Sequence, residues 1–268
     1  MIGHVKPSAG VIHTLGNPWG SPVIFLQGSC RTLPYVNYFN RLLEMGAASL
    51  RVFCVNPDDH HWDDAWQVVP DFYEALRARE SDPNMLAALK ATNIFIHEHY
   101  ANYDMFNTAA GMEKNIFQFG MAPQVDICLP NFHDLLILYN DIKTFDASVA
   151  AQIESDGGVP SEATLQRIKL IGEASVEKFC GVCRLSSFPE MEEYFRENWR
   201  TRRFFWTMNH ISRHFSLYLF RLMNDKFLHL NLSDEFWHEA GGEDLFCTPC
   251  TEVVDYDRQI HGLTWQDV

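Results

Sequence analysis

The chain has 268 residues, 47% of them apolar and 13% aromatic, enough to bury a substantial core in one large domain or two small ones. Its 35 acidic and 21 basic residues leave a formal charge of −14, which argues against nucleic acid or an anionic membrane surface as the main partner. No early stretch has the basic start, apolar run and small-residue cleavage site of a secretion signal, and no apolar run approaches the roughly 20 residues of a membrane span, so the expected location is the cytoplasm.

Residues 1–22 are rich in Gly and Pro and read as an irregular lead-in, with Val11 to Leu15 as a candidate edge strand. Val23 to Leu26 is a short apolar run that reads as a buried strand, and Pro34, followed by Tyr35, Phe39, Leu42 and Leu43, opens a helix that Gly46 stops. Between them lies Gln27-Gly28-Ser29-Cys30-Arg31, so Cys30 sits where a strand gives way to a helix. A thiol there meets the positive end of the helix dipole and free backbone N–H groups, which lower its pKa and can hold an oxyanion; Arg31 adds a cation. Packing of a small residue in a turn is the alternative role for Cys30, but Gly28 and Ser29 make a tight approach suited to a ligand.

Ser49 to Asn56 reads as a second strand, and the intervening length is that of a βαβ unit, so the two strands are expected to be parallel. The run Asp58-Asp59-His60-His61-Trp62-Asp63-Asp64 follows; neighbouring histidines on an extended loop point to opposite sides, which favours an acidic loop capping a helix over a metal site. Residues 64–91 read as helical with breaks at Pro70 and Pro83. A third strand over Thr92 to His99 ends in His97, Glu98 and His99, and a fourth over Gln124 to Asn131 ends in Asn131. Polar groups at the carboxyl ends of parallel strands stand where ligands bind in such folds, although pairing among themselves is an equal alternative.

Asp156-Gly157-Gly158 marks a loop before a helical half. Ser161 starts a helix to about Lys178, and Ser187 to Glu190 has capping-box spacing before a helix to about Arg200. Phe204 to Thr207 is a possible further strand. Asn209 is placed to cap an amphipathic helix carrying Ile211, Phe215, Leu219 and Leu222, with His210 in its first turn, where the dipole keeps an imidazole neutral and able to accept a proton. Arg213, one turn on, is a candidate phosphate ligand. The fold class expected is α/β, an open, mainly parallel sheet with flanking helices in an SGNH- or flavodoxin-like arrangement and a helix-rich C-terminal half. The expected organisation is a single domain over 1–268: lead-in 1–22, parallel-sheet half 23–150, helical half 151–232 and an acidic, aromatic tail over 233–268.

The seven cysteines are an odd set, with Cys54 and Cys128 inside apolar runs, which suits a reducing compartment better than a disulfide framework. Cys180-Gly181-Val182-Cys183 and Cys247-Thr248-Pro249-Cys250 have the internal spacing of zinc ligands, but the two pairs stand far apart; ordinary packing is expected for all four and no metal.

Gly28-Ser29-Cys30-Arg31, the strand ending Leu129-Pro130-Asn131, and the run from Arg203-Phe204-Phe205 to Asn209-His210 together resemble the WcbI family of polysaccharide-biosynthesis proteins. Relatives tend to have Gly-Asn-Cys-Gln at the first place and Asn-His-Pro at the last, so Ser29, Arg31 and Ile211 are departures. The resemblance implies a coenzyme A-dependent acetyltransferase, taking acetyl-CoA as acyl donor and a sugar hydroxyl of a glycan precursor as acceptor. Cys30 and His210 would be catalytic, with Gly28, Ser29, Arg31, Asn131 and Asn209 in the oxyanion or ligand site and His97, Glu98 and Arg213 as secondary candidates. A serine-esterase-like hydrolase using Ser29 or Cys30, and a non-catalytic coenzyme A or nucleotide-binding module, are the rival readings.

Overall fold

A computed structural model describes residues 3–5, 11–16, 20–27, 32–46, 49–56, 90–98, 122–130, 135–208, 210–242 and 250–265. The protein is α/β. Its six-stranded sheet comprises β1 (Gly3–Val5), β2 (Val11–Gly16), β3 (Val23–Gln27), β4 (Arg51–Asn56), β5 (Ile94–Glu98) and β6 (Val125–Leu129), in the order β1-β2-β4-β3-β5-β6. β4, β3, β5 and β6 run parallel, while β2 pairs antiparallel with β4 and β1 antiparallel with β2. The parallel strands begin and end close to where their apolar runs predict, because strands buried on both faces read as continuous hydrophobic stretches; Ile24, Phe25 and Leu26 of β3 and Ile94 to Ile96 of β5 are all buried. The glycine-rich lead-in contributes two strands. At Gly16, with φ +92°, an added Cβ would lie 2.2 Å from the Leu50 carbonyl oxygen, so only glycine allows that approach.

Contacts divide the chain into two compact units, each made of two stretches: Met1–Asn131 with Phe220–Ala240, and Phe132–Leu219 with Gly241–Val268. In the first, α1 (Leu33–Glu44) begins with proline in its first turn and buries Tyr35, Phe39 and Leu42. Phe220 packs 5.4 Å from Phe39 and 6.0 Å from Phe236 of the short helix Asp234–Ala240, and the Arg41 guanidinium meets Glu239.

The second unit is helical: α2 (Tyr139–Phe145), α3 (Ala147–Ser155), α4 (Glu162–Leu185), α5 (Met191–Asn198), α6 (Arg213–Met223, crossing into the first unit after Leu219), then α7 (Asp234–Ala240, in the first unit) and α8 (Asp255–His261). Asp146 caps α3 by accepting from the Ser148 and Val149 amides, and Ser161 caps α4 by accepting from Thr164. Asp156 ties the intervening corner, accepting from Gln152, the Ser161 amide and the Thr164 hydroxyl, which holds its carboxyl far below the usual range. Phe179 of α4 sits at the centre of rings from Phe195, Phe205 and Phe215, at 4.6, 5.5 and 5.7 Å.

Three local expectations change. α4 runs past Lys178 to Leu185, because Gly181 is accommodated inside the helix and Phe179, Cys180 and Cys183 are buried on one side of it. The helix expected from Ser187 starts later, at Met191: its cap residue is Glu190, which makes no side-chain cap hydrogen bond, and Ser186 bonds the Cys183 carbonyl and the Phe188 amide. Phe204 to Thr207 makes a single bridge, Phe205 to Ile211, rather than a strand. Among the described residues no helix is long and apolar enough to cross a membrane.

Candidate functional site

The order of the parallel strands defines a crevice. From β3 the chain crosses to β4 on one side, then returns past β3 to β5 on the other, so β3 and β5 feed connections that diverge at their carboxyl ends; in doubly wound sheets ligands bind at that switch point. The segment leaving β3 there is Gly28-Ser29-Cys30-Arg31, joined directly to the start of α1. These four residues lie outside the described residues, as do Asn131, Asn209, His99 and the His60-His61 cluster; their place in the chain is known, and no geometry is assigned to them.

The described side chains at the end of β5 separate. Neighbouring positions of paired parallel strands share a face, and side chains alternate along each strand. His97, paired with Cys128, therefore lies on the face of Phe95 and Asp126, whereas Glu98, paired with Leu129, lies on the face of Ile96 and Leu26. His97 and Glu98, adjacent in sequence, do not converge on one point. His97 Nε2 is 2.9 Å from Asp126 Oδ1, its Nδ1 is 3.4 Å from the Glu98 carbonyl oxygen, and its ring stacks on Phe95 at 4.8 Å. Cys128 thus stands beside a histidine whose two nitrogens face other groups. Burial pushes its thiol up to about 12, helped by the charges of Asp126 and Glu98, which disfavours the thiolate. Asp126 was not singled out from sequence, and only the strand register brings it to His97.

On the other face, Glu98 is 2% exposed. Burial raises the Tyr35 hydroxyl well above its usual value, with smaller contributions from Tyr38 and from Glu98, which places the Glu98 carboxyl within electrostatic reach of the first turn of α1. Thr32, the residue before α1, is fully buried, and α1 opens with no side-chain cap hydrogen bond.

His210 belongs to the second unit and is half-buried. It lies three residues ahead of α6, which starts at Arg213, so it is not in the helix's first turn as the sequence predicts. Its carbonyl accepts from the Trp206 amide at 2.7 Å, and its amide donates to Thr207 Oγ1 at 3.2 Å. Arg213 donates to the Gly241 and Gly242 carbonyls at 2.7 and 3.4 Å, and so ties backbone together. Cys180 and Cys183 lie one turn apart on α4; burial pushes Cys180 up to about 11 and Cys183 higher still, while Cys250 is exposed and Cys247 lies outside the described residues. Among the described residues no three His, Cys, Asp or Glu side chains are grouped to hold a metal.

A cavity in the second unit is bordered by Asp141, Thr207, Phe204, Phe205 and Trp265. Its volume is about 10 Å³, too small for an organic ligand.

No known protein family and no curated protein matches the chain. One solved structure does. It is that of WcbI, described as a novel polysaccharide biosynthesis enzyme in its native form without a disulfide bond to CoA. The match covers 88% of this chain and 78% of that one, at 10% identity and a TM-score of 0.49, and at that level it carries no argument about function.

Proposed function

We propose that the protein is an acyltransferase that passes an acyl group from a coenzyme A thioester to a sugar hydroxyl in polysaccharide biosynthesis. The observation that supports this reading most is where Cys30 stands in the chain. It lies between the carboxyl end of β3 and the amino end of α1, at the switch point of the parallel sheet, in the segment on which the family resemblance rests. The start of a helix such as α1 carries the positive end of the helix dipole, which suits an oxyanion or a phosphate, and Arg31 is the adjacent cation in the sequence. Arg213 is not assigned to phosphate, since its guanidinium is bonded to backbone carbonyls.

In this reading the Cys30 thiolate adds to the acyl carbonyl, the bond from that carbon to the donor sulfur breaks, and the sulfur leaves as a thiol after taking up a proton. The acceptor hydroxyl then attacks the Cys30 thioester, a general base takes its proton, and Cys30 is released; proton acceptor is the role that the resemblance assigns to His210. Coenzyme A, as the donor, supplies the activated acyl group.

The test is acyl transfer from a labelled thioester donor with Cys30→Ala and Cys30→Ser. Both variants are expected to lose transfer by at least about 100-fold, the scale of removing a positioned catalytic group. Full activity in both removes the cysteine from the mechanism. Release of free acid from donor at the transfer rate, with no acceptor dependence, makes the protein a hydrolase instead.

A further inference from the structure

The turn that carries His210 is held from one side by a single guanidinium. Arg203 donates from Nε to the Phe205 carbonyl at 3.1 Å, and from Nη2 to the Trp206 carbonyl at 3.0 Å and to the Thr251 carbonyl. The same planar group lies over two indoles, 4.7 Å from the Trp206 centroid and 5.5 Å from that of Trp265. Thr251 returns the contact, its amide donating to the Trp206 carbonyl at 2.7 Å and its hydroxyl to buried Asp141 at 2.7 Å. The Trp206 carbonyl therefore receives two donors, while the Trp206 amide donates to the His210 carbonyl at 2.7 Å. Across the base of the turn, the Ser212 amide donates to the Phe204 carbonyl at 2.8 Å and the Ser212 hydroxyl to the Arg203 carbonyl at 2.7 Å.

We propose that Arg203 is a positioning residue for His210, clamping Trp206 against Thr251 so that the turn from Phe205 to Ile211 presents the imidazole in one place. The inference rests on the reading of His210 as proton acceptor. The planar fork of a guanidinium supplies all three of these donations and the contact with both indoles. A lysine keeps the charge, but its single ammonium cannot reach three carbonyls in one plane or fill the space between two indole faces. The Asp141 carboxylate completes the clamp by fixing the Thr251 side chain, and Asp257, Thr251 and Arg203 are the charged or polar groups acting on it.

The experiment is Arg203→Lys, with a thermal melt and near-ultraviolet circular dichroism to establish that the fold is kept. In acyl transfer, kcat is expected to fall on the order of 100-fold, the scale of a catalytic group displaced by about 1 Å, with KM for the donor unchanged. In parallel, the titration midpoint of the His210 ring by NMR and its rate of carbethoxylation are expected to shift. Wild-type kcat together with an unshifted His210 overturns the proposal. A protein that transfers no acyl group defeats the proposed function, and the two His210 readouts then decide the positioning role alone, shifted values supporting it and identical values ending it. If Arg203→Lys does not fold, Trp265→Leu removes one indole and leaves the guanidinium's hydrogen bonds; a smaller shift in the same direction supports the clamp, and none overturns it.

Discussion

Two buried histidines, one in each unit, are held in opposite ways. His97 sits in the sheet with Asp126 on one nitrogen and a backbone carbonyl near the other. His261, the last residue of α8, is 5% exposed, and neither ring nitrogen has a hydrogen-bond partner among the described residues. It fills a notch at Gly172 of α4, where an added Cβ would lie 2.6 Å from the ring, with Trp199 edge-on at 5.7 Å. Burial first, then the positive charges of Arg200 and Lys169, push its imidazole down to about 4, although the Ile137 carbonyl acts the other way. Strand register brings polar side chains of one face near one another, here diagonally, and so supplies a partner. Helix packing supplies a hole of the right shape, and the polar atoms that enter it go unpaired.

The largest effect that can break this comparison is in acid. An unfolded histidine titrates near 6.5 and His261 near 4, so between those values the unfolded chain binds more protons; its contribution is whole above about 6.5 and is lost as pH falls towards 4. Set against His261→Leu, wild type is expected to lose on the order of 3 kcal/mol of stability between pH 7 and 4, read by urea unfolding at each pH. Asp141 has the opposite sign, because burial raises its carboxyl to about 6 and its protonation favours the fold. Set against Asp141→Asn, wild type therefore gains as pH falls over the same interval. A constant difference in the first comparison would mean that the His261 ring is solvated.

Gly172→Ala comes next. It is expected to cost roughly 1–3 kcal/mol by overpacking, and most of that cost should vanish in a His261→Ala background, as a double-mutant cycle would report. Additive costs would mean that the notch is not shared. The smallest effect is at the paired histidine. Asp126 is 63% exposed, so Asp126→Asn is expected to change the denaturation midpoint by less than about 1 kcal/mol equivalent, with the loss shrinking in high salt. A larger, salt-independent loss would show that the pair behaves as a buried one.

The parallel strands were legible because β3, β5 and β6 are short apolar runs bounded by turn residues, and the start of α1 because Pro34 and its aromatic spacing are local signals. The switch point follows from those elements only once strand order is known. The pairing of His97 with Asp126 was not legible, since nothing in either segment states which residue will stand opposite. His210 was placed one turn too far into its helix, because a side chain that bonds a neighbouring carbonyl or amide competes with helical continuation, and here the bridge from Phe205 to Ile211 wins. The helix start expected at Ser187 moved for a related reason: Ser186, one residue earlier, closes α4, and α5 begins at Met191.

By itself the sequence determined the α/β class and the parallel strands, because hydrophobic period and turn chemistry act over a few residues. Only the tertiary structure decided that His97 and Glu98 face apart, that burial raises the Cys128, Cys180 and Cys183 thiols, and that Arg203 grips the backbone beside His210. Those outcomes depend on register and burial between segments distant in sequence, where the free energy of a side chain is set by what the fold brings against it.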